Sequence, residues 1–154
     1  MKAEFVNPFF QALKDVFKLM LDLEITKSSL AAKKDLISEN EVTVAIKLTG
    51  DISGSVLFSF PESTTLEIVK IMSGMEMHKL DSFVTSALGE VSNIISGNAV
   101  TYLSQANYHC DILPPQIVIR ENNSTALDTE QTLTIPLHTS IGGIRLNFAI
   151  GENK

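Results

Sequence analysis

The chain reads as an α+β fold, an antiparallel β-sheet with long helices packed against it, and three observations lead there. Residues 41–49 and 55–60 alternate as half-buried strands do: Val42, Val44, Ile46 and Leu48 are set against Thr43, Ala45 and Lys47, and Val56, Phe58 and Phe60 repeat the pattern. A second strand pair lies near the end of the chain, with Leu133, Ile135 and Leu137 in one member and Ile144, Leu146, Phe148 and Ile150 in the other. Between the pairs, residues 81–107 form the longest stretch that winds as one helix, and the strands are linked by hairpins rather than helical crossovers.

Taken in order, Asn7 is suited to cap a helix that opens at Pro8 and runs to about residue 23, burying Phe9, Leu13, Val16, Phe17, Met20 and Leu21. Residues 24–36 lose this periodicity and read as a short strand and an exposed loop, pinned by Leu30 and Ile37. Gly50, Asp51 and Gly54 turn the first hairpin. Pro61 ends it, Ser63 or Thr64 caps a short helix to about Met72, and Gly74 stops that helix. Past the long helix come strands at 109–112 and 117–120, separated by Pro114 and Pro115, and then a loop at 121–128. Ser140, Ile141, Gly142 and Gly143 turn the last hairpin. Pro136 is out of phase with the buried residues of its strand and cannot donate to a ladder, which places that strand at an edge or a bulge. An exposed edge invites pairing with another chain. The helix-then-strands order of the two halves suggests a weak internal duplication.

With 154 residues and 44% hydrophobic content, the expectation is a single domain spanning 1–154. A net charge of -6, with no basic cluster longer than Lys33-Lys34, argues against nucleic acid as partner. The apolar runs are too short for a membrane helix and no secretory signal pattern is visible, so the expected location is cytoplasmic. Cys110 is the sole cysteine, which excludes an intrachain disulfide and a thiolate-rich metal site. His78, His109 and His138 lack the spacing of a metal pair, and neither a GxSxG elbow nor a glycine-rich phosphate loop is present.

The long helix has two faces. At about 100° per residue, Ser86, Glu90, Asn93, Gly97, Thr101 and Ser104 share a narrow stripe, while Ala87, Val91, Ile94, Ile95, Ala99 and Tyr102 lie towards the packing side. Asn98 falls on the apolar side and is expected as a satisfied buried amide. Gly89 and Gly97 each cost about 1 kcal/mol in a helix interior relative to Ala, so close packing or a closely approaching partner should explain them; for Gly97 the expectation is a partner. Glu90 is the single charge of the stripe. Taken alone, exposed Glu and Asn need no function.

Ser86-x-x-x-Glu90-x-x-Asn93, followed by Ile94, Ile95, Ser96, Gly97 and Asn98, resembles the signature of the CheC/CheX/FliY phosphatases, which act on CheY-type response regulators. The first helix, with Asn7, Pro8, Phe9, Ala12, Val16, Phe17 and Met20, is similar to their opening helix. The two-site members would need a second Glu and Asn where this chain has Asp15 and Lys18, so the resemblance is to the one-site CheX type. It implies a CheC/CheX-like fold, a homodimer built by joining sheets, and hydrolysis of the aspartyl phosphate of a CheY-type response regulator. In that reading Asn93 positions the attacking water and the neutral amide does not repel the phosphoryl oxygens. Glu90 pairs with a lysine of the regulator, and Ser86 and Gly97 meet the partner. No cofactor is bound by this chain, and Mg2+ is expected on the phosphorylated regulator. The alternative is a non-catalytic binding module of the same fold that docks a response regulator or another signalling protein; a purely structural dimerisation domain leaves the uncharged stripe without a purpose.

Overall fold

The computed structural model describes residues 2–28, 39–122 and 133–153. Helix α1 (Ala3–Val16) runs on through a π-helical turn (Phe17–Leu21); strand β1 (Thr26–Lys27) follows, then β2 (Glu41–Gly50), β3 (Ile52–Pro61), α2 (Glu62–Ser73), α3 (Ser82–Gln105), β4 (Cys110–Ile112), β5 (Gln116–Arg120), β6 (Leu133–Thr139) and β7 (Gly142–Glu152). The strands form one antiparallel sheet in the order β1-β6-β7-β3-β2-β4, with β5 also paired to β2. Leu30, Ile37 and most of the expected 121–128 loop lie outside the described residues.

The core is a set of cross-strand apolar rows. Val44, Phe58 and Leu146 stand opposite one another along one buried row, with half-buried Ile135 at its end, and Ile46, Val56 and Phe148 along the next. Phe9 of α1 meets the edge of Phe148 with ring centroids 5.7 Å apart, and α3 buries Val84, Leu88, Val91, Ile95, Ala99 and Leu103. Part of the sheet's other face is polar and buried as well, at Glu41, Thr43, Ser59 and Asn147: Thr43 faces Ser59 with hydroxyls 3.3 Å apart, Thr134 donates to Asn147, and Arg145 Nη2 pairs with Glu41 at 2.5 Å. Burial raises the Glu41 carboxyl above the usual carboxylate range, against the opposing pull of Arg145. Simple alternation did not foretell this second buried face.

Several local expectations need correction. Helix α2 begins at Glu62 directly after Pro61, so Ser63 and Thr64 lie inside it and neither caps it. Helix α1 begins at Ala3, not at Pro8 with Asn7 as cap, so Pro8 sits inside it. The added turn buries Phe5 and Val6 and lets Tyr108 donate to Glu4 at 3.0 Å. Burying two such side chains contributes roughly 3–6 kcal/mol, enough to offset the proline's cost of about 3 kcal/mol. Met20 is exposed, because the π-helical turn rotates the end of the helix off its apolar stripe. Strand β6 is not outermost along its whole length: Thr26 and Lys27 pair with His138 and Leu137, and Ser28 N–H donates to the Pro136 carbonyl at 3.0 Å. Because a strand residue's N–H and C=O point the same way, Pro136 directs its missing donor towards β1 and costs the β6–β7 ladder nothing.

Helix α3 is sharply bounded. Asp81 caps its start, accepting from Val84 N–H at 2.9 Å. Asn107 at φ 69° ends it, with Asn107 N–H bonded to Ser104 O and Tyr108 N–H to Leu103 O, a Schellman arrangement. The buried arc of α3 centres on Leu88, Ile95 and Ala99; Ile94 is 37% exposed and Asn98 is exposed, so both expectations for these residues were wrong. Ile94 lies only about 40° from Glu90 around the axis, and its apolar character had outweighed its angle. Ile95→Ala should therefore destabilise by about 3 kcal/mol, while Ile94→Ala should stay within about 0.5 kcal/mol of the parent protein; urea denaturation midpoints check both.

Candidate functional site

Burying the opposite arc of α3 turns Ser86, Glu90 and Asn93 outward, where all are exposed. Glu90 is the only charged residue in the 24 residues of the helix. At i and i+3 its side chain and that of Asn93 are neighbours on the surface. Beside them lies a shallow cleft lined by Ser86, Gly89, Glu90, Asn93, Pro115 and Ile117.

The cleft's second wall is made by Pro115, in the break between β4 and β5, and by Ile117 of β5 itself. These strands share the outer edge of β2: β4 pairs with Leu48, Thr49 and Gly50, and β5 with residues 41–45. The prolines interrupt the ladder between them and carry Pro115 and Ile117 up against α3. Gly89 admits them, since a Cβ there would lie 2.8 Å from Ile117 Cδ1. Close packing thus accounts for Gly89. Gly97 differs: a Cβ there would have no neighbour within 4 Å, so the protein's own packing does not require that glycine. The Pro114-Pro115 pair was the signal that could have drawn the wall into the site.

The positions on α1 that a second site would use are engaged internally. Asp15 accepts from Gln11 Nε2 at 2.8 Å and from the hydroxyl of Tyr102 on α3, a bond that raises the Tyr102 pKa above its ordinary value. Lys18 pairs with Asp22 and Glu24, each at 3.2 Å. Among the described residues no group of three or more His, Cys, Asp or Glu is placed to hold a metal ion.

A family model for the chemotaxis phosphatase CheX matches residues 42–138, a span that includes all of α3. The chain belongs to the CheX family. It is 30% identical to the CheY-P phosphatase CheX of Thermotoga maritima over 119 residues, 77% of each chain. Among solved structures, it is similar to the chemotaxis protein CheX from Vibrio vulnificus, with 29% identity, a TM-score of 0.83, and 97% and 100% of the two chains covered. It is also similar to a chain of the CheX–CheY–BeF3–Mg2+ complex from Borrelia burgdorferi, with 27% identity, a TM-score of 0.74, and 96% and 98% covered. The architecture is that of CheC/CheX-like proteins.

Gly97→Ala should raise the stability of this CheX-family chain by about 0.5–1 kcal/mol, because alanine is the better helix residue and its methyl meets open space. Thermal or urea unfolding reads this directly; a loss of stability would mean that Gly97 is packed after all.

Proposed function

We propose that this chain is a phosphatase that hydrolyses the aspartyl phosphate of a CheY-type response regulator in chemotaxis or a related two-component circuit, with Glu90 and Asn93 as its working residues. The observation that carries the reading is their joint exposure on one face of α3, beside the Pro115 and Ile117 wall, in a member of the CheX family. An aspartyl phosphate is a mixed anhydride already poised to hydrolyse, so the enzyme's task is largely to place water in line with phosphorus. The Asn93 amide accepts from that water through its carbonyl oxygen, and being neutral it can sit beside the phosphoryl oxygens. Glu90 pairs with a lysine of the receiver and fixes the register of docking. Ser86 lies at the rim, and Gly97 leaves the helix surface low enough for the receiver to approach closely. The Mg2+ is assigned to the receiver, as part of the phosphorylated substrate.

The same reading carries a cytoplasmic location, where the single, buried Cys110 stays a thiol. It also carries a single working domain and a homodimer. For the dimer, the support is the outer edge of the sheet at β5, where Val118 is 56% and Ile119 44% exposed; a monomer in sedimentation at micromolar concentration would remove it.

The mechanism is tested by single variants assayed on a phosphorylated CheY receiver. Asn93→Ala should lower turnover by about a hundredfold with docking nearly intact, the mark of an interaction made mainly in the transition state. Glu90→Ala should weaken association by about tenfold, lower turnover as well, and leave the remaining binding less sensitive to salt. Ser86→Ala should stay within a few fold. Full activity in Asn93→Ala would remove the water-positioning role, and unchanged phosphate decay alongside measurable binding in the parent protein would favour the non-catalytic docking module.

A further inference from the structure

The outward face of α3 carries more than its polar pair. Phe83 is 53% exposed and Ile94 37% exposed. Around the helix axis they lie within about 40° of Glu90, and along it they stand about 16 Å apart, on either side of Glu90. Ala87, half-buried, lies between them on the same side. Across the helix surface from this row, Pro115 and Ile117 form the wall of the cleft. The polar pair is therefore flanked by apolar surface on both sides, with Glu90 as the sole charge on the helix.

We infer that Phe83 and Ile94 are the apolar anchors by which this chain grips the receiver, so that binding strength comes from them while Glu90 sets register and Asn93 serves the reaction. The inference rests on the proposed function and extends it. A face that sets a single carboxylate beside an exposed aromatic fits a partner patch that combines apolar surface with a cation, and the CheY-type receiver of the proposed function is the partner for which Glu90 is assigned a lysine. A half-exposed phenylalanine contributes little to the stability of the free protein, but it is the kind of side chain that dominates an interface once it is covered. Phe83 and Ile94 share the outward side of α3 with Glu90, whereas the other large exposed apolar residues of the helical layer, such as Leu19 at 88%, stand on other elements.

The test is calorimetric binding of a CheY receiver loaded with beryllofluoride and Mg2+, followed by turnover of the same receiver phosphorylated. Phe83→Ala and Ile94→Ser should each raise Kd by about tenfold and raise KM in step, with kcat within about twofold of the parent protein. Phe83→Leu, which keeps apolar area, should recover most of the affinity. Leu19→Ser should bind as the parent does. Circular dichroism and unfolding midpoints confirm that each variant is folded, as expected for exposed positions. Parent-like Kd in both Phe83→Ala and Ile94→Ser would overturn the inference while leaving the Asn93 mechanism standing. Binding that depends on Phe83 together with turnover that ignores Asn93 would overturn the mechanism and leave the inference standing. No binding by the parent protein would overturn both.

Discussion

The rotational setting of α3 on the sheet is the constraint on which the rest depends. Leu88, Val91, Ile95, Ala99 and Leu103 are buried almost completely, and they fix which residues turn outward. A change of one residue in that setting would rotate the helix by about 100° and carry Glu90 towards the core, where an unpaired carboxylate is costly. Cross-strand rows of Val, Ile, Leu and Phe supply the surface that the helix must cover. Gly89, Ser92 and Ser96 keep the packed side low, and Ser92 satisfies its hydroxyl on the Leu88 carbonyl at 3.0 Å.

Much of this was legible in the sequence because its signals were local and mutually consistent. Alternation placed β2, β3, β6 and β7, and Asp81 and Asn107 marked the ends of α3 to within a residue or two. The misreadings arose where a distant contact outweighed a local preference. Phe5 and Val6 extend α1 past Pro8 because the core rewards their burial. Ile94 reads as inward by its chemistry although its angle points outward, and Asn98, one turn further on, reads as inward beside it while the structure exposes both. The buried polar face of Glu41, Thr43, Ser59 and Asn147 was hidden because its residues are those of a solvated strand face.

The pair Glu90 and Asn93 was legible as a motif, yet its setting was not. That the cleft beside it is closed by Pro115 and Ile117 depends on two short strands sharing one edge of β2, a long-range arrangement without a signature of its own. The asymmetry between the helices has a physical form as well: Asp15 and Lys18 of α1 are tied into contacts within the chain, whereas the α3 pair faces outward. A helix face with one carboxylate as its sole charge is the surface that the proposed docking of a receiver would use.

The central claim is that the outward face of α3 is where the receiver sits. NMR shift perturbation on adding a beryllofluoride-loaded CheY receiver tests it most directly, with amides and isoleucine methyls assigned. The account predicts the largest changes at Phe83, Ser86, Glu90, Asn93, Ile94 and Gly97, with Ile117 responding across the cleft. Perturbation centred on α1 or on the polar face around Arg145, with the α3 signals unmoved, would contradict it.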